Sequence, residues 1–254
     1  MDLELAEIIA QYANEARVSV NAEIPGYLAS REISRLFHFT SVHNLESIVT
    51  NSFLGRENLR QKNITFVPSD NNREEPLVNG VCFSLSRPNS YMAARKIQSG
   101  QELVLLELTN LDKILTQYNF VVSPGNFGSP SLKKKIESWP EEFVGGRGLM
   151  NLFEAQAIRE KYSIPSYEPT DPQAEIIILE GLPWDYVERI YFPNSVEYSI
   201  SEQIRRIVRK LPRGVVLHSQ IKDVFPPIDW RNPEIRSEYN ERKWNESWAH
   251  SQTL

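Results

Sequence analysis

Apolar residues recur along this chain with two different periods, which predict a mixture of helices and strands. Near the N-terminus, apolar residues such as Leu5, Ile8 and Tyr12 follow one helical face and predict an amphipathic helix over residues 2–17. Other segments alternate or are continuously apolar, as half-buried and fully buried strands are. These predicted strands are LFHFT (36–40), VCFSLS (81–86), ELVLLEL (102–108), AEIIIL (174–179), VERIYF (187–192) and GVVLHS (214–219).

Helical spacing and turn residues separate these strands. Helices are predicted over residues 42–50 after a Ser41 N-cap, 89–98, 148–162 and 199–211. Pro25-Gly26 and GGRG (145–148) are interpreted as turns, and residues 163–172, with three prolines, as an irregular exposed loop. Strands and helices are interspersed, but few connections are long enough for a crossover helix. This organisation predicts an α+β fold with a largely antiparallel sheet.

The length of 254 residues suits one compact domain with helical additions at both ends. We expect a helical N-terminal extension over residues 1–30 and the core over 31–195. A C-terminal helix, strand and tail over 196–254 should pack on the same domain. The first residues lack a basic region followed by an apolar stretch, so no signal peptide is expected. With Cys82 the only cysteine, no intrachain disulfide can form, and we expect a cytoplasmic protein.

The net charge of −5 argues against a protein that coats nucleic acid, because such binding neutralises phosphates with lysine and arginine. Most of this negative charge lies in residues 1–30, which contain five acidic residues and one arginine. The rest of the chain is close to neutral, which leaves room for a local basic groove. Several common catalytic motifs are missing: no phosphate-binding loop, G-x-G-x-x-G, H-E-x-x-H or G-x-S-x-G occurs, and no metal site is expected.

The first candidate site lies on the strand at 36–40. His38 and Thr40 share a face because side chains alternate along a strand, and Asn44 follows one helical turn later. Two polar groups on one face could bind a ligand. The alternative is that His38 is a core histidine whose ring bonds a neighbouring carbonyl.

Three further segments carry candidate residues. Ser84 lies on the second predicted strand, and Tyr91 begins the helix that follows, where its ring could either stack on a planar ligand or pack in the core. Glu175 opens a strongly apolar strand, where a carboxylate is costly unless it is paired or used, with Gln173 two residues earlier. Arg73 lies in the polar loop 68–79, where most arginines are simply solvated.

In this order, His-x-Thr, strand-Ser-Pro-Tyr-helix and Gln-x-Glu resemble the ADP-ribosyltransferase fold, whose core is a split, mostly antiparallel sheet with flanking helices. More narrowly, the chain resembles the DarT toxins, which ADP-ribosylate DNA bases. The resemblance spans about residues 36–193 and rests on three segments: LFHFTSVHNLESIVTNSFLGRENL, VCFSLSRPNSYM and PQAEIIILEGLPWDYVERIYF.

The resemblance implies transfer of ADP-ribose from NAD⁺, with Glu175 stabilising the developing positive charge and taking a proton. It assigns cofactor binding to His38, Thr40, Asn44, Ser84 and Tyr91, with Tyr91 stacked on the nicotinamide. It also implies a catalytic loop arginine, for which Arg73 fits best and Arg56 and Arg60 are second choices. Gln173 would then face the acceptor, and loop 163–172 would form the surface that recognises the acceptor.

Contacts with the acceptor are predicted from basic and aromatic residues. The segment 204–213 carries Arg205, Arg206 and Arg209 with no acidic residue, and Trp184 could stack on an unpaired base. A basic helical face that is only solvated is the alternative.

We therefore expect an NAD⁺-dependent mono-ADP-ribosyltransferase that modifies a base of single-stranded DNA. It would act as the toxin of a toxin–antitoxin or phage-defence pair, with an antitoxin such as an ADP-ribose hydrolase as partner and no membrane contact. RNA or a protein side chain as the acceptor, a non-catalytic binding module of the same fold, and a purely structural role for all four segments are the alternatives.

Overall fold

The computed structural model describes residues 3–20, 23–68, 79–127, 129–192, 206–207, 209, 211, 215–218 and 232–244. Within these ranges, seven strands form one sheet: β1 (Leu36–Ser41), β2 (Val81–Leu85), β3 (Leu103–Leu108), β4 (Phe120–Ser123), β5 (Glu175–Ile178), β6 (Val187–Tyr191) and β7 (Val216–His218). The strand order is β4-β5-β2-β1-β3-β6-β7, and every pair is antiparallel except β6–β7. The predicted α+β fold with a mostly antiparallel sheet is confirmed.

Helices flank this sheet. In chain order they are α1 (Leu3–Val20), α2 (Ile24–Ser30), α3 (Leu45–Asn51), α4 (Arg56–Gln61), α5 (Ser90–Gln98), α6 (Leu111–Gln117), α7 (Pro130–Ser138), α8 (Gly145–Asn151), α9 (Gln156–Lys161) and a C-terminal helix (Pro233–Arg242). None of the helices in the described ranges is both long and apolar enough to cross a membrane.

The central strands are buried on both faces, which explains their continuously apolar sequences. All six residues of β3 are buried. One face of the sheet packs into the main core, where Leu36, Leu106 and Ile176 are fully enclosed. The opposite face carries a smaller cluster that includes Phe37 and Leu105. A buried strand needs no alternation of apolar and polar residues, since neither face meets water.

The structure corrects two turn predictions. Pro25 and Gly26 lie inside α2, because a proline is tolerated in the first helical turn, where its missing N–H leaves no hydrogen bond unmade. The segment GGRG begins α8, where a Cβ at Gly148 would lie 2.6 Å from the backbone of Phe143. The glycines there permit close packing of a helix and do not form a flexible turn.

The single helix predicted over 148–162 is also wrong. It is divided into α8 and α9, because Ala155 has a left-handed backbone with φ of 62°, which a continuous helix does not allow. The predicted helix over 199–211 lies mostly outside the described residues. The C-terminal helix was not predicted at all, because its sequence, PEIRSEYNER, has no apolar face.

Candidate active site

A cavity lies beside the point where the pairing of β1 with β2 ends, at Phe37 and Ser84, and it reaches the start of β5. It contains about 990 Å³ of empty space, part of which is open solvent. Five of the predicted site residues line it: His38, Thr40, Asn44, Ser84 and Glu175. The chain brings these residues together from positions far apart in sequence, because β5 pairs with β2 and β2 pairs with β1.

Glu175 is the first residue of β5, and it lies between two serines on the neighbouring strands. It pairs with Ser84 on β2 and with Ser123 on β4. Residues directly opposite each other in antiparallel strands share a face, so the carboxylate is flanked by two short hydroxyl side chains. Glu175 is only 8% exposed. The result is a buried carboxylate at the wall of a cavity, with room in front of it that larger neighbours would fill.

His38 points from β1 into the same cavity and makes a hydrogen bond with the backbone. Its Nδ1 lies 2.9 Å from the carbonyl oxygen of Cys82. A carbonyl only accepts, so Nδ1 carries the proton and Nε2 is left as an acceptor. Burial lowers the pKa of His38, and the bond to Cys82 opposes that shift. The imidazole is therefore neutral at pH 7. It is a core histidine bonded to a carbonyl, and at the same time a cavity residue.

Thr40 and Asn44 form a buried pair beside His38. The Asn44 Nδ2 donates to Thr40 Oγ1 over 3.0 Å, and the same side-chain amide also binds the backbone of Val67. Asn44 therefore fixes the Thr40 hydroxyl and the segment that precedes residue 69, where the described range ends. Its contacts make Asn44 a residue that shapes the cavity.

Ser84 bonds the turn that follows β2. Its Oγ accepts a hydrogen bond from the backbone N–H of Asn89 over 3.1 Å, and Asn89 in turn caps α5 by accepting from the N–H of Met92. This chain of bonds connects the strand that carries Ser84 to the helix that was predicted to carry Tyr91 into the site.

The structure places Tyr91 outside this cavity, contrary to the stacking role predicted from the sequence. Asn89 is the N-cap of α5, and Met92 on the first turn lines the cavity. Tyr91 is rotated about 100° from Met92 around the helix axis, so it faces away. Its ring lies against Tyr239 of the C-terminal helix, with centroids 4.1 Å apart and an interplanar angle of 30°.

Gln173 does not line the cavity either. It was expected to share the face of Glu175 by strand alternation, but β5 begins only at Glu175. Gln173 lies in a turn, where its N–H donates to Asp171 Oδ1 over 2.7 Å. The two-residue period does not apply to a turn, and the side chain is buried.

Trp184 is a core residue in the structure, which contradicts its predicted role as a surface for base stacking. It is 5% exposed and stacks on Phe53, with ring centroids 6.4 Å apart. A ring that is covered in this way has no face left for a base.

The arginines divide into three groups. Arg73 and Arg205 lie outside the described residues. Arg206 and Arg209 are exposed. Arg56, a second choice from the sequence, lines the cavity at the start of α4, whereas Arg60 points to Glu57 on the surface. Arg56 is the arginine that the described part of the chain brings to the cavity of Glu175.

Several cavity residues escaped the sequence analysis. Phe53, Phe66 and Met92 supply apolar surface, and Gly55 allows the chain near Asn79 to pass, since a Cβ there would lie 2.3 Å from the Asn79 backbone. Isolated apolar residues carry no local signal for a site. In the described ranges, no three His, Cys, Asp or Glu side chains gather where a metal ion could bind.

Comparisons with known proteins give one family and several solved structures. The family model described as "ssDNA thymidine ADP-ribosyltransferase, DarT" matches residues 37–217, which is 181 of the 254 residues. The chain also matches Thermosipho africanus DarTG in complex with ADP-ribose, at 14% identity and a TM-score of 0.47, over 75% of this chain and 50% of that chain.

Two further matches are structures of Thermus sp. 2.9 DarT. The complex with NAD⁺ matches at 17% identity and a TM-score of 0.44, over 73% of this chain and 95% of that chain. The complex with ADP-ribosylated ssDNA matches at 16% identity and a TM-score of 0.43, over 74% and 95%. The chain thus spans half the length of the DarTG chain and nearly all of the DarT chain. None of the curated proteins compared with it matches.

Proposed function

Because the chain belongs to the DarT family of ssDNA thymidine ADP-ribosyltransferases, we propose that its cavity binds NAD⁺ and that Glu175 directs transfer of ADP-ribose to a thymine base in single-stranded DNA. The observation that carries this assignment is the buried carboxylate of Glu175 on a cavity that also presents His38, Thr40 and Ser84.

The polar groups of the cavity fit a ribose and its neighbours. The neutral His38 ring offers Nε2 as an acceptor for a hydroxyl, while Thr40 and Ser84 offer hydroxyl groups. Phe66, which is half-buried, gives apolar surface for a planar ring, a role for which Tyr91 was expected. A mixture of apolar walls and a few fixed polar groups is typical of cofactor sites.

NAD⁺ supplies an ADP-ribose that is already bonded to a good leaving group. The bond between ribose C1′ and the nicotinamide nitrogen breaks, and its electron pair leaves with nicotinamide. A new bond forms from an atom of thymine to C1′, and the proton that thymine loses passes to Glu175 and then to water. Glu175 stabilises the positive charge that develops on the ribose. This electrostatic stabilisation is strongest in a site that contains little water. The same carboxylate serves as the general base.

Arg56 and Arg73 are the two candidates for a cation near the phosphates. Arg56 is supported by its position on the cavity wall, and Arg73 by its position in the loop between the first two motifs. A guanidinium suits this task because its planar fork binds phosphate oxygens in pairs. Arg206 and Arg209, both exposed, would contact the DNA strand more weakly.

In the cell, this activity would be that of a toxin held in check by an antitoxin protein, for which an ADP-ribose hydrolase is the natural chemistry. A thymine in a duplex is hidden in the stack, so the acceptor is a single strand. The near-neutral charge of the chain outside residues 1–30 suits brief contact with a short strand.

The test is incubation with labelled NAD⁺ and a single-stranded oligonucleotide that contains thymidine. The controls are an oligonucleotide without thymidine, an RNA of matching sequence and a protein mixture. Label on the thymidine-containing DNA alone is expected. Label on RNA or protein would show that one of the alternative acceptors is used. If the folded protein transfers ADP-ribose to none of these acceptors, the proposed activity is refuted.

The role of Glu175 is tested with a matched pair of variants. Glu175→Gln should lower transfer by about a thousandfold, in the range of lost electrostatic and acid–base catalysis. Glu137→Gln on the exposed surface of α7 should leave it unchanged. If Glu175→Gln still transfers ADP-ribose at the wild-type rate, the role proposed for Glu175 is refuted, but the proposed activity is not.

A further inference from the structure

The C-terminal helix lies against the loop that leads into Glu175. This helix, Pro233–Arg242, begins after the end of the family match at residue 217. It contacts loop 163–172 through Arg242 and through Trp244, just after its last turn. A segment outside the matched residues therefore touches the part of the chain that stands before the candidate catalytic residue.

Arg242 binds the loop at three successive residues. Its Nε donates to the carbonyl oxygen of Thr170 over 3.0 Å, and its Nη2 donates to Glu168 Oε1 over 2.7 Å and to the carbonyl of Pro169 over 3.4 Å. Its Nη1 is held by Glu238 of the same helix over 3.0 Å. Arg242 is 6% exposed. A buried guanidinium is costly unless its donors are used, and here they bind backbone and carboxylate together.

A second arginine binds the same loop. Arg159 of α9 donates to the carbonyl oxygens of Glu168 and Pro165 over 2.8 and 2.7 Å, and to Thr170 Oγ1 over 3.1 Å. The loop thus has little regular structure of its own and is held by two buried guanidinium groups. Of the two, Arg242 alone comes from beyond the family match.

The end of the helix is connected to the turn before β5 by one carboxylate. Asp171 Oδ2 accepts the backbone N–H of Trp244 over 2.7 Å, while its Oδ1 accepts the N–H of Gln173. The backbone N–H of Ala174 also donates to the carbonyl of Asp171 over 3.0 Å. The position of the C-terminal helix is thereby transmitted to the residue next to Glu175.

None of these helix residues lines the cavity of Glu175. Arg242, Tyr91 and Asp171 line a separate pocket with Leu85 and Ala174. Leu85 and Ala174 are the chain neighbours of Ser84 and Glu175, so this pocket adjoins the candidate site. The C-terminal helix therefore contacts the candidate site through loop 163–172.

We propose that Arg242 is a positioning residue, which holds loop 163–172 in the conformation that receives the DNA strand in front of Glu175. This inference rests on the proposed function, and it adds to it an element outside the matched family segment. Because the contact is made with the acceptor loop and not with the cavity, Arg242 should govern the use of DNA and leave NAD⁺ binding unchanged.

The first test measures hydrogen exchange in the full chain and needs no activity. Arg242→Gln should speed exchange of the amides of Thr170, Gln173 and Ala174 by about tenfold or more, because the loop opens more often. The matched control is Arg236→Gln, on an exposed position of the same helix, which should not change these rates. Equal exchange in the two variants would overturn the proposal.

The second test measures transfer kinetics for each substrate. Arg242→Gln should raise the KM for the oligonucleotide by about tenfold while the KM for NAD⁺ stays within about twofold. Arg242→Lys should have a KM for the oligonucleotide between those of the wild type and Arg242→Gln, because lysine keeps the charge but not the planar fork of donors. A parallel loss for both substrates would show a general structural role and contradict the proposal.

If Arg242→Gln does not fold, Glu168→Gln removes the loop's carboxylate and should show the same split between the two KM values. If neither the wild type nor Arg236→Gln transfers ADP-ribose, the proposed function fails, and hydrogen exchange still decides the role of Arg242.

Discussion

Asn44 binds the backbone of Val67 with both ends of its side-chain amide. Its Nδ2 donates to the Val67 carbonyl over 2.8 Å, and its Oδ1 accepts the Val67 N–H over 2.7 Å. One side chain thus pairs with an extended segment as a neighbouring strand would. This contact sets the wall of the cavity at Val67, close to the end of the described range at residue 68.

We expect Asn44→Asp to destabilise the protein and weaken NAD⁺ binding. The new oxygen would face the Val67 carbonyl and lose the donated bond, which costs about 1–3 kcal/mol for buried partners. Urea unfolding and NAD⁺ titration measure the two effects. Asn14→Asp on α1, where the side chain accepts from Arg17 at the surface, is the control. An unchanged affinity for NAD⁺ would show that Val67 does not shape the site.

The stability contributed by a neutral His38 should decrease at low pH. Burial lowers the pKa of His38 below its usual 6.5, so the unfolded chain binds a proton that the folded chain resists. Its contribution is therefore fully present above pH 6.5 and is lost as the pH falls below it. His38→Gln should flatten this part of the pH profile of the free energy of unfolding. His43→Gln, at an exposed position, is the control variant.

Asp171 should act on stability in the opposite direction. Burial raises the pKa of Asp171 to about 6, although the N–H groups of Trp244 and Gln173 and the charges of Arg242 and Lys243 lower it. Between pH 4 and pH 6 the folded chain binds a proton that the unfolded chain releases. The stability contributed by this group thus falls as the pH rises through that window, by up to about 3 kcal/mol.

The measurement is the difference in unfolding free energy between wild type and Asp171→Asn across this pH range. The wild type should lose stability relative to the variant as the pH rises. A constant difference from pH 4 to pH 7 would show that Asp171 ionises as an exposed carboxyl group does.

Arg56 and Arg60 allow a test of the cavity cation on one helix. Arg56→Ala should reduce kcat/KM by about tenfold to a hundredfold, as expected for a lost phosphate contact. Arg60→Ala should leave it unchanged, because Arg60 is exposed and pairs with Glu57. Arg73→Ala, measured beside them, decides which of the two candidate arginines carries the larger share. If Arg56→Ala is as active as the wild type, the cation near the phosphates does not come from α4.

Local sequence patterns predicted the family and six of the seven strands that the structure describes, but not β4. The strands β1, β2, β3, β5 and β6 begin and end within two residues of their predicted positions, because buried strands are rich in branched and aromatic residues. The prediction of a DarT-like ADP-ribosyltransferase is confirmed by the family model over residues 37–217. That match extends past the predicted limit of about 193 and into β7.

The positions of Tyr91 and Trp184 could not be derived from the sequence. An aromatic residue looks the same in a sequence whether it stacks on a ligand or on Tyr239, and only the packing of a helix that is distant in the chain decides between them. Gln173 was misplaced because the two-residue period of a strand was applied to a position two residues before β5 begins. The contacts of Arg242 were hidden for a similar reason, since a polar helix gives no hydrophobic period to detect.

The place of β5 in the sheet has a consequence for the order of events during synthesis. It lies between β4 and β2, both of which precede it in the chain. A ribosome releases His38 and Ser84 well before Glu175, and β5 must then enter between two strands that already exist. The carboxylate on which the proposed transfer depends is thus the last member of the cavity to arrive. A nascent chain that ends before β5 lacks this carboxylate and, on the proposed mechanism, does not transfer ADP-ribose.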